Sequence, residues 1–137
     1  LEKEAMLFEE FLVAEHDAGR LKLNFRALGT SKALIHGHCH QKAFGVMADV
    51  ERTLSLVPGL EVETIKSGCC GMAGAFGYHA EHFDISMQMG ELELLPAVRE
   101  QQDDTLIVAP GTSCRAQILD GTGRVALHPA EVLHGAM

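Results

Sequence analysis

Tryptophan is absent, tyrosine occurs once, and aromatic residues fill only 5% of the 137 positions, so no stacking platform for nucleic-acid bases is available. Positive charge is scarce as well. Eleven Lys and Arg stand against nineteen Asp and Glu, a formal net charge of -8, which excludes a basic face able to neutralise a phosphate backbone. Nucleic acid is not expected as a partner. No apolar run approaches the roughly 20 residues that cross a bilayer. The N-terminal LEKEAMLFEE also lacks the basic start and apolar stretch of a secretory leader. Membrane insertion and secretion are not expected, and the expected location is cytoplasmic, peripheral to a membrane only through partners. Proline is limited to four residues and no Ser-, Gln- or Pro-rich tract occurs, so disorder is not indicated. Two spacings are missing too: the C-x-x-C of ordinary ferredoxin and zinc-finger sites, and the G-x-G-x-x-G of a dinucleotide loop.

What is present is the material of one ordinary globular domain over residues 1–137, 47% hydrophobic and 22% charged. The chain opens on Leu1 rather than Met, which reads as an excised piece or a processed product of a larger protein. Residues 1–18 read as an amphipathic helix with Leu7, Phe8, Phe11 and Leu12 on one face. Strands are expected at Lys32–Ile35, Leu60–Ile65, Thr105–Ala109 and Arg124–Leu127. Helices are expected from Gln41 to about Leu56, from His79 to about Leu95 and on past Pro96 to Gln101, from Arg115 to Asp120, and over a last turn from Ala130 to Leu133. This alternation predicts an α/β fold: a mainly parallel sheet of about four strands with flanking helices. In such a sheet the strand-to-helix loops share the carboxyl edge, where ligands collect.

All four cysteines fall in those loops: Cys39 after the first strand, Cys69 and Cys70 after the second, and Cys114 after the third. Core hydrophobes, disulfides, metal ligands and redox groups are all open to such residues, but inert core cysteines would be scattered rather than gathered among Gly and His. Cys69 and Cys70 can face one centre only if the chain turns sharply between them, and Gly68 and Gly71 permit that turn. Four thiolates from three loops suit a 4Fe-4S type cluster or a tetrahedral zinc. Among the alternating His36, His38 and His40, the two that flank Cys39, His38 and His40, are the favoured companions. His128 ends the fourth strand at the same edge, within reach of a sulfur. Met72, Met87 and Met89 read as core residues, and a nucleophilic Cys114 beside Arg115 is a minority reading.

Cys39, the SGCCG pair, and Cys114 in APGTSCRAQI followed by HPAEVL resemble the cysteine-rich CCG domain of heterodisulfide reductases and of iron-sulfur subunits of glycolate and lactate oxidases. HGHCHQKAFG, SGCCGMAGAFGY and GTSCRAQI are more narrowly similar to the C-terminal part of large FAD-linked oxidases of the D-2-hydroxyglutarate or D-lactate dehydrogenase type. The resemblance implies Cys39, Cys69, Cys70 and Cys114 as ligands of an iron-sulfur cluster or zinc, with His38 and His40 tuning potential or carrying protons. It implies an electron-transfer module whose partners are a flavin domain holding FAD and a ferredoxin-like domain, both outside this chain. The isolated chain is then not expected to catalyse alone. A structural zinc or assembly domain without redox role, or a thiol catalyst working through Cys69 and Cys70, are the competing readings. One position departs from the family pattern. Gly111 stands where the first cysteine of a C-x-x-C is found, leaving at most one metal centre and a gap beside Cys114 for water, a histidine such as His38 or an added thiol. A Gly111→Cys change is expected to raise iron retention.

Overall fold

The computed structural model describes residues 5–137. Three strands form one parallel sheet in the order β2-β1-β3: β1 (Lys32–Ile35), β2 (Glu61–Thr64) and β3 (Leu106–Val108). The expected fourth strand contributes a single parallel bridge, Leu127 beside Val108. Before that bridge the Arg124 guanidinium holds loop carbonyls, Thr105 O at 2.6 Å among them. Among the described residues seven α-helices occur, in chain order: α1 (Phe8–Asp17), α2 (Cys39–Ala43), α3 (Met47–Ser55), α4 (Phe83–Gly90), α5 (Leu94–Arg99), α6 (Thr112–Thr122) and α7 (Pro129–Gly135). Residues 1–4 of the first expected helix lie outside the described residues.

β1 is the central strand and is buried on both faces, so its side chains divide between two cores with the two-residue period of a strand. Ala33 and Ile35 enter a core with Leu12, Val50, Leu54 and Val132, from α1, α3 and α7. Leu34 enters the other, with Leu94, Leu95, Val98, Ile118, Cys70 and Cys114. Two of the cysteines are therefore floored by the second core. β2 is an edge strand with Glu61 and Glu63 exposed, and Lys32 pairs with Glu63 at 2.9 Å.

Two expected long helices are each broken, and both breaks serve the loops that carry the cysteines. The segment from Gln41 to Leu56 divides at Gly45, whose φ of +70° is open to glycine at little cost, so α2 remains a short helix that begins on Cys39 itself. The segment from His79 to Gln101 becomes a single 3-10 turn at Ala80–His82, then α4 and α5, with another such turn at Phe76–Tyr78 just before it. Pro96 lacks an N–H and its ring would meet the carbonyl four residues back, so one helix cannot run through Leu92 and Pro96. The resulting kink brings the Glu93 carboxylate onto the N–H of Gly68 at 2.9 Å, beside the cysteine pair. α6 starts three residues earlier than expected, so Cys114 sits in its first turn rather than in the loop before it.

Candidate metal centre

The carboxyl ends of β1, β2 and β3 deliver the four cysteines to one place. A pocket of about 310 Å³ is lined by Cys39, Cys69, Cys70 and Cys114, with His38 and His40 on its wall. They occupy different depths. Cys70 and Cys114 are buried with their sulfurs 3.4 Å apart, Cys69 is half-buried, and Cys39 is exposed. The Cys114 thiol donates to Cys70, so the pair shares one proton: Cys70 is pushed well below the ordinary thiol range and Cys114 well above it. The backbone at Met72 also favours the Cys70 thiolate. Burial first, and then the neighbouring Cys69, push the Cys39 thiol up. The Gly71 N–H donates to Cys69 Sγ at 3.3 Å.

The sharp turn at the cysteine pair rests on Gly71, at φ +97°, with Ala73 at +44° and Gly74 at +69° completing the loop. A buried side chain holds that loop from beneath. Gln117 Nε2 of α6 donates to Cys70 O at 3.0 Å, Ser86 O at 2.9 Å and Ser86 Oγ at 3.0 Å. Lys42 Nζ ties α2 to the same loop through Ser67 O at 2.6 Å and Gly68 O at 3.0 Å. Gln117→Leu removes the clamp and leaves the Cys70 carbonyl without its donor, so a loss of about 1–3 kcal/mol in unfolding free energy is expected in denaturant titration.

The histidines divide differently from expectation. His38 caps α2, its Nδ1 accepting the His40 N–H at 3.3 Å, and burial followed by the neighbouring His40 lowers its pKa. The His38 and His40 rings meet edge to face at 5.0 Å, and His40 is exposed. His128 caps α7 by accepting the Ala130 N–H at 3.0 Å and is not among the residues lining the cysteine pocket. The histidine at the inner cysteines is His36, which is fully buried. A ring nitrogen of His36 and the sulfurs of Cys70 and Cys114 all lie within 4.8 Å of one another. Its place at the end of β1, one residue beyond Ile35, is the signal the sequence offers for it. It continues the ladder, with its N–H on Val108 O at 2.9 Å, so its side chain stays at the sheet edge instead of leaving with the loop.

The gap at Gly111 is filled. A β-carbon there would run into the His38 ring and come within 3.0 Å of Cys114 Sγ. The expectation that Gly111→Cys gains iron is thus opposed by sterics, because His38 already occupies the space. Gly111→Ala is expected to cost about 1–3 kcal/mol in thermal unfolding and to weaken metal retention, since the His38 ring must give way.

Over 106 residues the chain is 31% identical to one of the subunits of the anaerobic glycerol-3-phosphate dehydrogenase of Escherichia coli, an alignment covering 77% of this chain and 26% of that protein. It is 35% identical over 77 residues to the D-2-hydroxyglutarate dehydrogenase of Escherichia coli, covering 55% of this chain and 7% of that protein. The D-2-hydroxyglutarate dehydrogenase of Pantoea ananatis matches at 32% over 75 residues, again 55% of this chain and 7% of the relative. The chain is a homologue of the C-terminal part of these dehydrogenase proteins. The resemblance read from the three cysteine motifs is borne out at that level. The chain spans about a quarter of the first relative's length and far less of the others. No established family profile and no solved structure matches. Among the described residues no helix is long and apolar enough to cross a membrane.

Proposed function

We propose that this chain is the metal-bound electron-transfer module of an FAD-linked dehydrogenase acting on a small hydroxy acid or a comparable alcohol, and that the metal group is an iron-sulfur cluster of the 4Fe-4S type. The single observation that carries this reading is the convergence of four cysteines from three strand ends on one pocket with His38 and His40 on its wall. The donor set fits such a group. It offers four thiols, a proton-sharing inner pair, and a backbone N–H directed at Cys69 Sγ. Cys39, Cys69, Cys70 and Cys114 would hold the cluster, which when bound passes one electron at a time. The chain's own work is to deprotonate and place the thiols, to exclude water below Cys70 and Cys114, and to leave Cys39 at the exposed side. His38 and His40 tune that exposed side, with His38 as a donor: its Nδ1 already accepts a backbone N–H, so its proton resides on Nε2. Flavin and ferredoxin-like domains of the same larger protein are the proposed partners, and their flavin carries the substrate chemistry.

A structural zinc is the second reading, favoured by one observation: the inner group of Cys70, Cys114 and His36 is a thiolate and imidazole set of the kind zinc takes. The test is anaerobic purification followed by iron, sulfide and zinc analysis and by dithionite reduction. Iron with matching sulfide and a visible absorption that bleaches on reduction supports the electron-transfer reading. Colourless protein with one zinc overturns it in favour of the second. Alone, the chain is expected to give no turnover of D-2-hydroxyglutarate, D-lactate or glycerol 3-phosphate with an artificial acceptor, because this reading places the flavin that accepts the substrate's electrons in a partner domain.

A further inference from the structure

Resting on the reading of this pocket as a metal centre, we infer that His36 is itself a ligand, binding through Nε2, and that Ser67 is its positioning residue. Three observations meet at this side chain. His36 is 0% exposed, and its Nε2 is buried without a hydrogen-bond partner, one of only two such side-chain atoms among the described residues. A buried polar atom left unpaired is costly, on the order of 1–3 kcal/mol, and needs a reason to persist. Its other nitrogen is occupied: Nδ1 lies 2.7 Å from Ser67 Oγ. With Nδ1–H donating to the Ser67 hydroxyl oxygen, the Nε2 lone pair is free for a cation. A ring N–H fixed by an outer partner is the usual setting of a metal-bound imidazole. Finally, a His36 nitrogen lies within 4.8 Å of the sulfurs of both Cys70 and Cys114. A cation between the three would relieve the orphaned nitrogen and the crowded thiols together.

His38 is the natural rival, and its hydrogen bond separates the two. His38 Nδ1 is an acceptor from the His40 N–H, which places its proton on Nε2 and makes it a donor toward the pocket. His36 carries no such constraint. The division gives the centre one nitrogen ligand at its buried end and a hydrogen-bond donor at its exposed end.

The probe is Co(II), added anaerobically to the 137-residue chain labelled with ¹⁵N-histidine or left unlabelled. X-ray absorption is expected to show one nitrogen beside the sulfurs bound to cobalt, and pulsed EPR a strongly coupled nitrogen whose signal changes on labelling. Both features should persist in a His38→Ala/His40→Ala variant, where His36 remains beside Cys70 and Cys114. Ser67→Ala, which keeps the imidazole and removes its support, should weaken Co(II) affinity about tenfold or more, within the range known for loss of an outer partner. An all-sulfur ligand set, or a nitrogen signal lost in the double variant, overturns the assignment. Those results would leave an iron-sulfur electron carrier standing. A nitrogen-bearing cobalt site in protein that never assembles a reducible iron-sulfur cluster would instead sink the proposed function and keep His36 as a ligand.

Discussion

Cys70→Ser or Cys114→Ser is expected to remove most of the bound metal rather than a quarter of it. The two sulfurs are 3.4 Å apart on the floor of the pocket, with the Cys114 thiol donating to Cys70, so loss of either leaves a buried thiol without its partner and takes a ligand from the centre. Thiolate sites form as units because the last ligand converts an open, hydrolysable site into a closed one. Cys39→Ser, at the exposed rim, should lose metal as well, but with more retained than in the two inner variants, since serine there is open to water and its neighbour Cys69 keeps the Gly71 N–H. Metal content after anaerobic desalting is the measurement. Parent-level metal in Cys114→Ser would show that the inner pair takes no part.

The second large effect is on the backbone. Gly71→Ala is expected to destabilise the protein by about 3 kcal/mol or more, lowering Tm by on the order of 10 °C. Two costs combine at this position. Its φ of +97° is a region that side chains rarely adopt, and a β-carbon there would be driven into the Ser86 backbone carbonyl, which α4 and Gln117 hold in place. Gly74→Ala provides the contrast. Gly74 also has a positive φ, +69°, but nothing lies within 4 Å of the added atom, so a cost of about 1 kcal/mol is expected. Equal losses at the two positions would show that the close approach at Ser86 is not what fixes the turn beside Cys70.

The parts of this structure legible in the sequence are those governed by short-range pattern. β1 begins and ends where its apolar run does, the glycines around Cys69 and Cys70 mark a turn, and the parallel sheet follows from strand-helix alternation. Convergence of the cysteines then follows from topology, since parallel strands place their loops at one edge. What stays hidden depends on contacts distant in sequence. Breaks at Gly45 and before Pro96 compete with an apolar period that runs straight through them, and the α5 kink is fixed partly by Glu93 reaching Gly68, 25 residues away. Sequence favours His38 and His40 over His36 because adjacency to Cys39 is visible in the chain, whereas the approach of His36 to Cys70 and Cys114 exists only after the sheet forms. The filled space beside Gly111 is of the same kind, because it is set by a ring anchored on α2.

The central claim, one centre held by all four cysteines, is tested most directly by anaerobic alkylation of metal-loaded and chelator-treated protein, read residue by residue in the mass spectrometer. The account predicts that Cys39, Cys69, Cys70 and Cys114 are all protected by the metal and that Cys39 and Cys69, the two nearest solvent, show the largest gain in reactivity when it is removed. Alkylation of Cys39 or Cys69 at the same rate with and without metal would contradict it.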